Sequence, residues 1–86
     1  RMVCKDYQAW VLTQGKERIA GNKGQVLSLI PLTEKARISS KGLYYELADL
    51  TLLASSARGI SNVFLGQEAE IEVHEGRALL VLLTES

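Results

Sequence analysis

The chain has 86 residues, of which 47% are hydrophobic and 23% are charged, and its formal net charge is zero. This length suits one compact domain over residues 1–86, and the composition excludes an intrinsically disordered chain. Cys4 is the only cysteine, which excludes an internal disulfide and a cysteine metal cluster and favours a reducing compartment, so we expect a cytoplasmic protein without a metal. No stretch approaches the roughly 18 apolar residues of a membrane span, so no membrane partner is expected.

The first half of the chain predicts short strands separated by turns. The predicted strands cover residues 7–13, 17–20 and 25–30. A turn around Gly15 joins the first two strands into a hairpin, and Pro31 ends the third because a proline biases the preceding residue towards extended geometry. Residues 32–41 are polar and basic and indicate a loop or an irregular strand.

The central segment Leu43–Ala57 predicts a helix. Its apolar residues recur at spacings of four, three, four and three, which corresponds to one continuous stripe of a helix. They are Leu43, Leu47, Leu50, Ala54 and Ala57. Ser39 or Ser40 can cap the start of this helix. A strand over Leu50–Ala54 is the competing interpretation.

The C-terminal segment has the clearest pattern, because apolar and polar residues alternate strictly over residues 68–74. The apolar residues are Ala69, Ile71 and Val73, and the polar residues are Glu68, Glu70, Glu72 and His74. This alternation predicts a half-buried strand with one solvated face. A turn at Gly76 returns the chain into residues 78–83, which are apolar on both faces, as in a central or interface strand. Residues 60–65 either complete the helix packing or begin another strand.

These elements predict an α+β fold, with a mostly antiparallel sheet of four or five strands and one helix packed on a face. The alternative is a small β-barrel with one short helix. The predicted hairpins at residues 10–20 and 70–81 resemble those of profilin-like and roadblock-type domains, which carry a helix between them. That resemblance implies a dimerising scaffold for small GTPases. The long flanking helices of those domains are missing, and no functional residue carries over.

The sequence offers few groups for catalysis. His74 is the only histidine, so a nucleophile, a base and an orienting group are hard to assemble. Glu68, Glu70 and Glu72 share one flat strand face, which suits solvation better than the wrapped coordination that a calcium ion requires. We therefore expect no enzyme, no catalytic residue, no metal ligand and no cofactor.

The favoured function is a non-catalytic protein-interaction or assembly module, either homo-oligomeric or bound to a protein partner. The excess apolar character of residues 78–83 places the interface at Leu80, Val81 and Leu82. A chain this small buries only a modest share of its surface by itself, so a subunit interface would add buried apolar area.

The alternative function is a nucleic-acid-binding or transcription-associated regulatory module that uses the basic N-terminal half. Residues 1–41 carry a net charge of +5, and residues 42–86 carry −5. The candidate phosphate contacts are Lys16, Arg18, Lys23, Lys35, Arg37 and Lys41. Tyr44 and Tyr45 could stack on bases, although the predicted helix turns at least one of these rings into the core. The charges of the two halves could instead mix on the folded surface.

Overall fold

The computed structural model describes residues 2–3, 5–55 and 59–84, and this part of the chain folds into nine β-strands without a helix. The strands are β1 (Met2–Val3), β2 (Tyr7–Leu12), β3 (Gly15–Ala20), β4 (Val26–Pro31), β5 (Lys35–Lys41), β6 (Leu50–Leu53), β7 (Ile60–Val63), β8 (Glu68–Glu75) and β9 (Ala78–Leu83). The described residues contain no helical segment that could span a lipid bilayer.

The strands form two antiparallel sheets that pack face to face. Sheet A has the order β1-β2-β9-β4-β7, and sheet B has the order β3-β8-β5-β6. The apolar core between them contains Leu27 and Leu80 from sheet A and Ile38 and Ile71 from sheet B, all fully buried. Burial of each such side chain contributes about 1.5–3 kcal/mol, so the contact between the sheets stabilises the fold.

Side-chain alternation explains where the strands form. In β8, Ala69, Ile71 and Val73 are buried while the glutamates face outward, which confirms the predicted half-buried strand. β9 lies in the middle of sheet A, between β2 and β4, as the run of apolar residues indicated. The strands predicted at residues 7–13 and 25–30 are present as β2 and β4.

The predicted helix over Leu43–Ala57 is wrong, and with it both the α+β fold and the barrel with a short helix. Leu43 and Leu47 are buried from an extended loop, whereas Leu52 is buried from strand β6. Leu50, which the helical stripe requires inside, is 38% exposed. Strand pairing with β5 overrides the local helical spacing because it buries Leu52 and satisfies the backbone of β6. The competing strand over Leu50–Ala54 was the correct interpretation, and residues 56–58 lie outside the described part.

Both predicted hairpins are wrong in their pairing, and the first connection lies at Thr13 and Gln14, because Gly15 already begins β3. β2 pairs with β9, whereas β3 pairs with β8. The chain therefore crosses from one sheet to the other at both turns, and the resemblance to profilin-like and roadblock-type domains fails. The apolar sides of β8 and β9 face each other across the core, and this buries more apolar surface than a two-stranded ribbon would.

Candidate functional site

Two aromatic rings stand out on the surface, on the connection between β5 and β6. We call residues 42–49 the aromatic loop. Tyr44 is 65% exposed and Tyr45 is 61% exposed, and their ring centroids lie 4.8 Å apart at an interplanar angle of 90°. The expectation that one of these rings packs in the core is wrong. The loop therefore presents both rings to solvent.

Backbone pairing with the end of β7 holds the first part of this loop. The Tyr44 N–H donates to the Val63 carbonyl at 2.8 Å, and the Leu65 N–H donates to the Gly42 carbonyl at 3.0 Å. Leu43 bridges to Phe64 between these two bonds. Leu43 and Phe64 are both 1% exposed, so the loop is pinned by buried apolar side chains beneath the exposed rings.

Asn62 adds a second attachment from inside the fold. This side chain is fully buried; its amide nitrogen donates to the Tyr45 carbonyl at 2.7 Å, and its amide oxygen accepts the Tyr45 N–H at 2.9 Å. The same oxygen accepts the Val63 N–H at 3.0 Å. The sequence reasoning missed Asn62, and the signal available was a polar residue inside the apolar segment 60–65. Its role is to fix the backbone that carries the Tyr45 ring.

Exposed apolar side chains lie on the part of the chain that pairs with this loop. Val63 is 37% exposed and Leu65 is 56% exposed. Aromatic faces next to apolar side chains suit a flat ring, and the electron-rich face of a tyrosine attracts a positive charge. This surface can therefore bind a planar or cationic ring without a catalytic group.

The second part of the aromatic loop is attached to β5. The Leu47 N–H donates to Ser40 Oγ at 3.0 Å, and the Asp49 N–H donates to Ser39 Oγ at 2.9 Å. Ser39 and Ser40 thus accept backbone N–H groups, as helix caps would, but in a loop without a helix. Arg37 donates two hydrogen bonds of 2.9 Å to the Asp49 carboxylate. These bonds lower the pKa of Asp49 below its ordinary value, and the same contact raises the pKa of Arg37.

A groove of about 300 Å³ lies between the aromatic loop and the outer face of sheet B. Lys16, Glu70 and Glu72 line the sheet side of this groove, and Glu46 and Leu47 line its loop side. Its walls carry charges of both signs, so they favour neither a simple anion nor a simple cation.

A sequence profile described as "Thiamin pyrophosphokinase, vitamin B1 binding domain" matches residues 12–78. The chain belongs to this family. The match includes the aromatic loop and Asn62, so the candidate surface lies within the part that defines the vitamin B1-binding family.

Solved structures of thiamin pyrophosphokinases share the fold. The enzyme from Geobacillus thermodenitrificans superposes with a TM-score of 0.89 at 20% identity, over 98% of this chain and 40% of that one. The Bacillus subtilis enzyme gives 0.80 at 21% identity, over 95% and 40%, and the Candida albicans enzyme gives 0.79 at 15% identity, over 94% and 31%. By these coverages, this chain spans less than half of the length of these enzymes. No curated protein sequence matches the chain significantly.

The family overturns the functional predictions. The predicted function as a non-catalytic assembly module is wrong, and so is its alternative, a nucleic-acid-binding or transcription-associated regulator. The expectation of no enzyme is also wrong, because the family is a domain of thiamin pyrophosphokinase. The prediction rested on the scarcity of nucleophiles and bases in these 86 residues. A domain that binds a substrate needs none of those groups when the chemistry is performed elsewhere in an enzyme.

The basic residues proposed for nucleic acid mostly share one face of this vitamin B1-binding fold, but acidic residues interleave with them. Register places Lys16, Arg18, Lys35, Arg37 and Lys41 on the outer face of sheet B, while Lys23 lies in the turn before β4. Lys16 and Arg18 contact Glu70 at 3.6 and 3.8 Å, and Lys35 and Arg37 contact Glu75 at 3.4 and 3.5 Å. The charges of the two halves therefore mix, which leaves no uniformly positive surface there.

His74 is half-buried on the same outer face of sheet B. Its Nε2 shares a hydrogen bond of 2.7 Å with Ser39 Oγ, and its Nδ1 lies 3.9 Å from Glu72. Because Ser39 Oγ also accepts the Asp49 N–H, this serine serves the loop attachment. Cys4 lies outside the described residues, and the described residues contain no group of three or more histidine, cysteine, aspartate or glutamate side chains that could hold a metal ion.

The predicted interface residues divide between two faces of β9. Leu80 is fully buried and Leu82 is 4% exposed, and both pack in the core between the sheets. Val81 points to the opposite, outer face of sheet A and is half-buried. Of the three, only Val81 lies on a surface that another molecule could reach.

Proposed function

We propose that this domain binds thiamin for a thiamin pyrophosphokinase, and that the aromatic loop receives the thiamin rings. Thiamin contains a flat pyrimidine and a positively charged thiazolium ring. The observation that carries the proposal is the pair of exposed rings, Tyr44 and Tyr45, on a backbone fixed by Asn62. An aromatic face attracts a cationic ring by about 0.5–2 kcal/mol, and Val63 and Leu65 add apolar contact.

The whole enzyme's activity is part of the same proposal. The chain corresponds to 40% of the two bacterial pyrophosphokinases and to 31% of the Candida one. Transfer of a pyrophosphoryl group depends chiefly on positioning the nucleotide phosphates and stabilising their charge. We assign thiamin binding to this domain and the nucleotide and the transfer step to the remainder of such an enzyme, which we expect in the cytoplasm.

Calorimetric titration of the chain with thiamin tests the proposal. Tyr45→Ala should weaken binding by about twofold to thirtyfold, the range that corresponds to the loss of one ring–cation contact. Leu32→Ala is the matched control, because Leu32 is also exposed, at 48%, but lies in the turn after β4. An uncharged thiazole analogue of thiamin should bind more weakly than thiamin. Equal affinities of the Tyr45→Ala and wild-type chains would refute the placement of thiamin on this loop.

We further propose that a second copy of this chain covers the outer face of sheet A. The outward residues of β2, β4, β7 and β9, all within the described part, carry no charge. They are Tyr7, Ala9, Val11, Val26, Ser28, Ile30, Ser61, Val63, Leu79, Val81 and Leu83. Three of these strands have six residues and β7 has four, so at about 3.3 Å per residue and about 4.8 Å between strands they present roughly 350 Å² in projection. Two such faces contribute roughly 700 Å² in projection, and the relief of their side chains adds accessible area towards the roughly 1,000 Å² of a specific interface. An uncharged face also meets its own copy without repulsion.

Sedimentation velocity measures this association. The wild-type chain should form a dimer, Val81→Lys should be monomeric, and Leu53→Lys, which adds the same charge at an exposed position on β6 of sheet B, should remain dimeric. A wild-type chain that stays monomeric at several hundred micromolar would contradict the proposal and would leave the face to another segment of a longer protein.

A further inference from the structure

We infer that Arg37, Ser39 and His74 are positioning residues for the thiamin site, although none of them belongs to the aromatic loop. They hold the C-terminal end of this loop through Asp49, and we call these three residues the Asp49 clamp. The inference rests on the proposed thiamin binding and adds a second, remote set of residues to it.

The backbone of Asp49 is the first observation. Its φ is +52°, and it is the non-glycine residue with positive φ in the described part of the chain. That left-handed conformation is uncommon for residues other than glycine and persists where surrounding contacts enforce it. Asp49 immediately precedes β6, so this conformation sets how the loop re-enters sheet B.

Hydrogen bonds around Asp49 hold this residue in its left-handed conformation. Ser39 Oγ accepts the Asp49 N–H at 2.9 Å, and Arg37 donates two hydrogen bonds of 2.9 Å to the Asp49 carboxylate. His74 in turn orients Ser39 through the 2.7 Å bond to Oγ. Arg37 and Ser39 come from β5 and His74 from β8, which are adjacent strands of one sheet. Two rigid strands therefore determine the position of one loop residue.

The loop connects this clamp to the aromatic rings over four residues. Between them, Leu47 and Ser40 exchange hydrogen bonds through the Leu47 carbonyl at 2.9 Å and the Leu47 N–H at 3.0 Å. On the other side of the rings stand Asn62 and the end of β7. A loop that is held at both ends presents its rings in one arrangement. Because the loop is already ordered in the free protein, ligand binding does not lose further conformational entropy there.

Removing the clamp should lower the fraction of molecules whose rings are correctly placed. The apparent affinity falls in proportion to that fraction. We expect Ser39→Ala to weaken thiamin binding by about threefold to tenfold, and Ser39→Thr, which keeps the hydroxyl, to restore most of it. Lys35→Gln is the matched control, because Lys35 is also on β5 and contacts Glu75 at 3.4 Å but does not contact Asp49.

Hydrogen exchange of the free chain gives a readout that does not depend on thiamin. In Ser39→Ala, amide protection should fall at residues 45–49 and stay unchanged in β8 and β9, whereas a general loss of stability would lower protection throughout. Calorimetry on the same variants measures the affinity. Unchanged protection at residues 45–49, or the same affinity change in Ser39→Thr as in Ser39→Ala, would overturn the clamp. If the wild-type chain binds no thiamin, the proposed function fails, and the exchange pattern alone then decides whether the clamp exists.

Discussion

Asn62 is the residue whose removal most directly tests how the aromatic loop is held. The substitution Asn62→Ala deletes three hydrogen bonds, two to the backbone of Tyr45 and one to the Val63 N–H. It also leaves a small cavity, because the side chain is fully buried. The sequence of the aromatic loop itself is unchanged in this variant.

The expected cost follows from these contacts. Each hydrogen bond contributes about 0.5–1.5 kcal/mol net, and the two bonds to the Tyr45 backbone are partly buried. With the cavity included, we expect the free energy of unfolding to fall by about 2–4 kcal/mol. That is a large share of the roughly 5–15 kcal/mol by which a domain is stable.

Urea denaturation followed by circular dichroism measures this difference. Ser61→Ala is the matched control on the same strand, because Ser61 points outward and shares one bond of 3.1 Å with the hydroxyl of Ser28. It should cost about 0.5 kcal/mol or less, since that bond is exposed. If Asn62→Ala costs no more than Ser61→Ala, the buried amide does not hold the loop and our account of the site is wrong.

Three further predictions concern other parts of the fold. In parallel thermal melts, Gly42→Ala should destabilise the domain more than Gly24→Ala. Both residues have a positive φ, so both substitutions strain the backbone. A Cβ at Gly42 would also lie 2.5 Å from a backbone oxygen of β8, whereas a Cβ at Gly24 would meet nothing within 4 Å. Because the folded state lowers the pKa of Asp49 below its ordinary value of 3.8, this carboxylate stabilises the fold above that pH and loses its effect as the pH falls; Asp49→Asn should flatten the decline in stability measured between about pH 5 and pH 2. Leu80→Lys should unfold the chain, whereas Val81→Lys should leave its circular dichroism spectrum folded, because only Leu80 is in the core.

The sequence predicted best the strands whose side-chain pattern shows directly which residues are buried. The alternation of Ala69, Ile71 and Val73 with glutamates has a period of two, which only an extended chain can match to a single buried face. The apolar run of β9 likewise indicated a central strand. The aromatic pair Tyr44–Tyr45 was visible as a candidate contact, but the helical spacing around it gave it the wrong surroundings.

The site could be predicted only in part, because its connections join distant segments. Asn62 lies 17 residues from Tyr45, and His74 lies 35 residues from Ser39. A single sequence does not indicate which polar residue will meet which backbone group. The same limit explains the basic residues of β3 and β5, whose acidic partners come from β8.

The sequence by itself determined the positions of most turns and strands, because side-chain alternation and turn residues act within a few neighbouring residues. The tertiary structure alone decided that the segment after Leu43 is a loop and a strand, and that β8 and β9 belong to different sheets. The physical reason is that pairing partners are chosen by how much apolar surface the two whole sheets bury against each other, and that quantity does not exist in any local stretch of the chain.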